Sequence, residues 1–413
     1  MKKSLTLICT ALFAICFPYS GSTQSQPKGE ILAFVGAKIY PDPFTAPIND
    51  GIVLLKDGKI QSIGTRMSVK IPNQSRIIDC SGLVMTAGFW NAHVHFMEPK
   101  WAQNAQTTAQ QLSQQLREML TRYGFCYAFD LATLDFLNLV TLRHRIATGE
   151  VEGPVIFSAG VPFAPPGGNP FYIAPLKLPE LSKAADVTAY INAQLLSGAD
   201  AIKLWSASPD GKKVIPMPKE LIQAGTAAAH QRKAPVFAHP SNLEGVNIAV
   251  NGGVDILAHV APEDSKDWSQ QTIDTMLARH MALIPTLKLY QWELERAGHA
   301  SENSVLLNTA VQQLSSYNKA GGEILFGTDA GYMSDYSPGE EYVLMAKAGL
   351  SFQQILASLT VNPARRFGRE KLTGKIAVGM DADLVLLSAD PAADIRNLIS
   401  VKYTVSQGKV IYH

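Results

Sequence analysis

The chain has 413 residues, 46% hydrophobic and 17% charged, with 36 Lys+Arg against 35 Asp+Glu and only 4 Cys. That suffices for one barrel-sized core of about 250 residues plus a smaller unit, and it excludes a disordered chain, a collagen-like fibre and a disulfide-stapled miniprotein. A net charge of +1 gives neither nucleic acid nor a membrane surface an electrostatic footing, so the expected partner is a small molecule.

At the N-terminus, Lys2 and Lys3 precede a thirteen-residue apolar run, Leu5 to Phe17, followed by Pro18 and the small residues Ser20, Gly21 and Ser22. A membrane-spanning helix needs roughly 20 apolar residues, whereas the basic, apolar, small-residue order is that of a secretory signal. Residues 1–22 are therefore expected to be a signal peptide. No stable membrane span is expected, and the protein is expected to be periplasmic or secreted. Removing the signal takes away Cys9 and Cys16 and leaves Cys80 and Cys126. These two can pair in an oxidising compartment or lie buried as apolar thiols.

From Ile31 to Val84, β-rich runs alternate with turn signals: ILAFVGAKIY, GIVLLKDGKIQSIG and RIIDCSGLVM. Asp57-Gly58 marks a hairpin. The end of the chain returns to this style in ADLVLL and VKYTVSQGKVIYH, so residues 29–85 plus 366–413 are predicted to form one small β-sandwich. Between them the period changes. Eight apolar runs (FWNAHVHF, FCYAFDLA, PVIFSAG, DAIKLW, PVFAHP, DILAHV, ALIPTL and EILFGTDA) recur, each followed by a helical pattern. Eight such units over residues 86–365 predict an α/β fold, a (β/α)8 TIM barrel. A doubly wound sheet would call for a Gly-rich phosphate fingerprint in the first unit, and none is there.

The polar residues in these runs carry the chemistry. His93 and His95 are two apart on the first strand and share a face, and Asn91 has the same parity. Lys203 interrupts the fourth apolar run, His239 ends the fifth, His259 lies near the end of the sixth and Asp329 near the end of the eighth. In a barrel these positions converge on the C-terminal mouth. A lone strand histidine is more often a hydrogen-bonded core residue, and H-x-H alone is a weak pattern. Gathering four imidazoles, an ammonium and a carboxylate without a purpose would be costly. His144, His230, His280, His299 and His413 fall in helices, loops or the terminus and read as structural or solvated. The donor set suits divalent transition metals, zinc by default. Beside two dications Lys203 fits only without its charge, as it would after carbamylation by CO2.

GLVMTAGFWNAHVHF, GADAIKLW, FAHP, ILAHV, LFGTDAG and LTVNPARRFGREKLTGKIAVGMDADLVLLSADP together resemble the amidohydrolase superfamily. Within it, the similarity is to the binuclear metal-dependent group of imidazolonepropionase-like enzymes, prolidase-like dipeptidases and ochratoxin-degrading amidases. The resemblance implies one metal held by His93, His95 and Asp329 and a second by His239 and His259. Carbamylated Lys203 (N6-carboxylysine) and a water or hydroxide would bridge them, with Asp329 as the catalytic proton shuttle. Relatives usually have Asp where this chain has Asn91. Some dipeptidase relatives have Gly-Gly-His where this chain reads Pro166-Gly167-Gly168-Asn169.

The implied reaction is hydrolysis of an amide C–N bond in an N-acyl amino acid, a dipeptide or an ochratoxin-like amide. A lactone or cyclic-imide hydrolase on the same site is the alternative. A catalytically inactive binding protein is disfavoured because all six ligand positions are filled. Trp205, Phe163, Phe171, Tyr172, Tyr290 and Tyr332 follow barrel strands and are expected to favour an apolar or aromatic substrate group, with Asn169 beside them. Lys288 is expected to meet a substrate carboxylate. The sequence is compatible with a homo-oligomer.

Overall fold

The computed structural model describes residues 29–300 and 304–413, so the predicted signal peptide with Cys9 and Cys16 lies outside the described residues. Each of the eight central apolar runs contributes a strand. Phe89–Val94, Phe125–Asp130 and Val155–Ser158 form one parallel sheet. Ile202–Trp205, Val236–His239, Ile256–Ala258, Ala282–Ile284 and Glu323–Ile324 form another, again in chain order. Regular pairing lapses at two seams. At one, the Asp200 N–H donates to Ser158 O (2.8 Å) and the Phe163 N–H to Lys203 O (3.0 Å). At the other, the Ala92 N–H donates to Phe326 O (2.8 Å) and the His95 N–H to Ala330 O (2.8 Å). The architecture is TIM-barrel-like α/β, with two sheets bridged by single contacts in place of the predicted continuous eight-stranded barrel.

Side chains follow the strand period of two. Ala201, Phe237, Ile256, Ala258, Ala282 and Ile284 meet in an inner cluster, while Ile202, Leu204, Val236, Ala238, Leu257 and Leu283 pack in the larger outer one with the helices. Helix Ala109–Met119 shows how that outer layer is built. Thr108 and Gln111 form a capping box, and Leu112, Leu116 and Met119 recur at helical spacing on the buried face.

Both chain ends build one mixed eight-stranded sheet in place of the predicted sandwich. Val84–Ala87 pairs with Ile31–Ile39 on one side and Leu384–Leu387 on the other, which joins the two ends in a single ladder. Ile31–Ile39 is apolar on both faces, sending Leu32 and Phe34 to one cluster and Ala33 and Val35 to another. The Asp57-Gly58 hairpin connects Ile48–Lys56 to Lys59–Thr65, and both turn residues take positive φ (50° and 76°) as a tight twisted hairpin demands.

Cys80 and Cys126 are free and buried, so the two thiols serve as apolar side chains. Among the described residues no helix is long and apolar enough to cross a membrane.

The small sheet is tied to the base of the barrel by a buried polar junction. The Tyr127 hydroxyl donates to Asp383 Oδ2 (2.6 Å), and the Gln407 N–H donates to Asp383 Oδ1 (2.8 Å). Burial pushes the Asp383 carboxyl above its usual range, and the hydrogen bonds from Tyr127 and Gln407 oppose that rise. Asp383→Ala leaves the buried Tyr127 hydroxyl without a partner, at roughly 1–3 kcal/mol, and frees the half-buried Gln407 N–H as well. A fall in unfolding free energy of that order is expected in denaturant titration, while Tyr127→Phe, which keeps the Gln407 contact, should cost less.

Candidate metal centre

Three of the strand ends at the mouth adopt backbone conformations that side chains seldom take. His259 has φ 155°, Thr286 φ 45° and Asp329 φ 61°. Ala258 faces the inner cluster, so strict alternation would turn His259 outward toward the helices; the rotation at His259 brings its ring inward. Such conformations persist where the surrounding structure over-determines them, and they cluster at functional sites. The glycines of the eighth-strand motif permit the same crowding. A Cβ on Gly327 would lie 2.7 Å from His93 Cβ, and one on Gly331 (φ 97°) would strike His95 O at 1.9 Å.

The result is a buried cluster. His95 Nε2 lies 2.7 Å and His93 Nε2 3.2 Å from Asp329 Oδ1, and the two Nε2 atoms are 3.2 Å apart. His93, His259 and Asp329 offer ligand atoms within 4.8 Å of one another. The His259 ring stands 4.6 Å from that of His93 and 4.8 Å from that of His239, centroid to centroid. Lys203 is buried beside them and makes no hydrogen bond or salt bridge through Nζ among the described residues.

The electrostatics suit cation binding. Burial holds His93, His239 and His259 well below the ordinary imidazole range, and the Lys203 charge adds to the effect, so their lone pairs are free. Burial brings the Lys203 ammonium down to about 7, against the pull of Asp329. Burial alone would raise the Asp329 carboxyl, but the charge and hydrogen bond of His95, then His259 and Lys203, bring it below the usual value.

The residues fit a metal. Two donors on bonds of about 2.0–2.1 Å at tetrahedral angles stand about 3.3 Å apart, close to the separations among His93, His95 and Asp329. Thr286 also sets a tautomer. Its hydroxyl donates to Pro285 O (2.8 Å), so Oγ1 must accept from the His259 Nδ1–H (2.5 Å), which leaves His259 Nε2 as the bare donor.

Neighbouring residues take other parts. Asn91 donates through Nδ2 to Thr328 Oγ1 (2.7 Å) and accepts from the His93 N–H (3.3 Å) and Thr328 N–H (3.2 Å), tying the first strand to the eighth. Asp130, at the end of the second strand, accepts from Ser158 Oγ (2.7 Å) and the Phe96 N–H (3.1 Å), and burial raises its carboxyl to about 6. Sequence reading passed over Thr286 and Asp130, although FCYAFD ends on a charged residue just as PVFAHP runs into His239.

Among the expected substrate contacts, Trp205 stacks on His239 at 3.7 Å and faces Tyr172 at 6.1 Å, and Tyr332 lies 5.8 Å from Tyr172. The Tyr290 hydroxyl donates to Val260 O (2.6 Å), which fixes the loop beyond His259. Two expectations give way. Lys288 is buried, pairs with Asp335 (2.8 Å) and donates to the carbonyls of Asp335 and Ser337, so its charge already has partners. Asn169 accepts from the Leu178 N–H (2.8 Å) and donates to Leu176 O (3.1 Å), so its amide folds its own loop. His230, read as structural, pairs with Asp255 (2.8 Å) away from the cluster. A groove of about 1540 Å³ at the opposite end, lined by Arg76, Arg143, His144 and Lys409, contains none of the cluster.

The sequence pattern of the Amidohydrolase family matches residues 84–411. The chain belongs to that family. It is therefore a metal-binding hydrolase acting on carbon–nitrogen bonds, with a small-molecule substrate. Among curated relatives, ochratoxinase from Aspergillus niger is 22% identical over 361 residues, covering 76% of this chain and 72% of the relative. Imidazolonepropionase from Kosmotoga olearia is 28% identical over 99 residues, 21% of this chain and 24% of the relative. Among solved structures, a Xaa-Pro dipeptidase with methionine bound in its active site superposes with a TM-score of 0.78 at 20% identity, covering 92% of this chain and 99% of the other. The A. niger ochratoxinase structure gives 0.77 at 18% identity, with 94% and 96% covered.

The tautomer argument is testable within this amidohydrolase site. Thr286→Val keeps the side-chain volume but removes the acceptor for His259 Nδ1–H. Outer partners of this kind are worth about 10–100-fold in metal affinity. Chelator competition should register a loss in that range for Thr286→Val, with recovery in Thr286→Ser.

Proposed function

We propose that this amidohydrolase cleaves the amide C–N bond of a small N-acyl amino acid, dipeptide or ochratoxin-like amide, using two divalent metal ions, zinc by donor type. The observation that carries the reading is the convergence of His93, His95, His239, His259, Lys203 and Asp329 in one buried cluster. His93, His95 and Asp329 would hold one ion and His239 and His259 the other. Lys203, deeply buried and without a polar partner among the described residues, would serve both as the carbamate formed with CO2. Bound ions of this kind polarise a carbonyl and bring the pKa of water toward neutrality.

The chain's own residues do the rest. The Asp329 carboxylate takes the proton of the attacking water and delivers it to the departing nitrogen. His95, 2.7 Å from Asp329 Oδ1, keeps that carboxylate aimed and ionised. Trp205, Tyr172 and Tyr332 form a wall that excludes water and receives an aromatic or apolar portion of the substrate. The likeness in fold to a Xaa-Pro dipeptidase and to ochratoxinase supports a peptide-like bond over a lactone or cyclic imide. Export under the N-terminal signal belongs to the same reading.

Turnover of N-acyl-phenylalanine, Xaa-Pro and a simple lactone by zinc-loaded protein tests the reaction class. A lactone preferred tenfold or more over both amides would overturn it. Asp329→Asn can still ligate through oxygen but cannot shuttle a proton, so kcat should fall by roughly 10²–10⁴-fold in variant protein that retains metal. Lys203→Ala should lose one or both metals by elemental analysis, and added bicarbonate should raise occupancy only in the wild type. Full occupancy in the alanine variant would make Lys203 a packing residue.

A further inference from the structure

The helix after the seventh strand, Leu287–Arg296, opens beside the metal cluster, and its start departs from the usual arrangement. The first N–H groups of a helix have no partner within it, and a Ser or Thr at the preceding position ordinarily supplies one from its side chain. Thr108, Ser269 and Ser351 do this for their own helices. Thr286 stands at the same position and gives its helix no side-chain hydrogen bond. Its hydroxyl is engaged by Pro285 O and the His259 Nδ1–H instead, and its φ of 45° lies outside the extended region that a capping residue takes.

The orphaned donors find acceptors elsewhere. The Leu289 N–H turns back to Thr286 O (3.1 Å). The Lys288 N–H donates to Glu341 Oε2 (2.7 Å), and the Leu287 N–H also acts on that carboxyl. Glu341 is fully buried and comes from helix Gly339–Lys347, beyond the eighth strand. Just ahead of that helix, Asp335 Oδ2 and Ser337 O take the Lys288 ammonium at 2.8 and 2.6 Å. The start of Leu287–Arg296 is thus held, main chain and side chain, by the segment that follows Asp329.

A carboxyl is costly to bury, and this one stands where the helix start lacks a cap of its own. Two acceptors lie within reach of that start, Thr286 Oγ1 and Glu341 Oε2. With Glu341 in place, Thr286 Oγ1 is released to accept from His259. Without it, the Lys288 N–H would compete for the Thr286 hydroxyl, and turning Oγ1 toward the helix would leave the His259 ring free to change tautomer.

We propose that Glu341 is a positioning residue for the metal centre: by accepting from the start of helix Leu287–Arg296, it leaves the Thr286 hydroxyl to His259 and so keeps His259 Nε2 as the metal-binding atom. From the proposed function this takes only that His259 is a ligand.

The test is a double-mutant cycle in the full zinc-loaded chain, read by chelator competition. Glu341→Ala should weaken zinc binding roughly tenfold in the wild-type background, the low end for an outer partner, and less than about twofold in Thr286→Val, where the hydroxyl it releases is already gone. Glu341→Gln keeps an oxygen that can accept from the Lys288 N–H and should restore most of the loss. Where the alanine chain folds poorly by circular dichroism, Glu341→Asp, which withdraws the acceptor by one methylene, takes its place in the cycle. NMR of isotope-labelled histidine follows the His259 Nδ1–H in parallel, which should persist in wild type and Glu341→Gln and be lost in Thr286→Val and Glu341→Ala. No loss of zinc affinity in Glu341→Ala, or an equal loss in both backgrounds, would overturn the proposal, since a residue that only supports the fold acts alike with or without the Thr286 hydroxyl. An Nδ1–H resonance unchanged in Glu341→Ala would overturn it as well. A wild type that binds no zinc but whose Nδ1–H resonance is lost in Glu341→Ala would overturn the two-metal reading and uphold the role of Glu341.

Discussion

Burying imidazoles, a lysine and a carboxylate together at the mouth of an apolar barrel is the constraint around which this molecule is arranged. Each group would lose several kcal/mol of hydration if charged and left unpaired. The cluster answers by keeping His93, His239 and His259 neutral through burial and by leaving Asp329 ionised against His95. What remains is a set of lone pairs and one anion converging from the first, fifth, sixth and eighth strands. That is the charge pattern a bound dication completes.

The backbone has to accommodate this convergence. Parallel strands alternate their side chains strictly, and alternation serves Lys203 and His239, which share parity with the inward Ala201 and Phe237. It does not serve His259, whose predecessor Ala258 already faces inward. The positive φ at His259, Thr286 and Asp329 departs from the regular strand where chemistry outweighs local preference, at about 1–3 kcal/mol each. The apolar clusters below and around the mouth supply the stability that tolerates it.

Much of this was legible in the sequence because charged or imidazole side chains interrupt or end otherwise apolar runs, as in AIKLW, VFAH and LFGTD. The eight strand runs were legible for the same reason of period. Continuity of the barrel was not, since each seam between the two sheets depends on single hydrogen bonds such as Asp200 N–H to Ser158 O that leave no pattern in composition. The single sheet at the base was hidden too, because both faces of Ile31–Ile39 are apolar and such a strand reads equally well as part of a sandwich. Thr286 follows a proline and resembles any turn residue until its hydroxyl is seen against His259. Lys288 and Asn169 misled for a common reason. Residue type and proximity to a strand end say nothing about whether Asp335, or the backbone of the residue's own loop, has already claimed the side chain.

Glu263 shows the converse. On the sequence it is one of several acids in the polar stretch PEDSKD, with nothing to set it apart. In the fold its neighbour Asp264 accepts from the Leu243 N–H at 2.8 Å, the start of the helix after the fifth strand, whereas Glu263 has no such duty. Two adjacent carboxylates thus separate into one that holds the start of a helix and one that does not. For the second, the surrounding protein and the Asp264 charge raise the carboxyl to about 8. The loop after the sixth strand can therefore vary while the strand itself delivers His259 to the cluster, the division between loops and strands that a barrel-like fold allows.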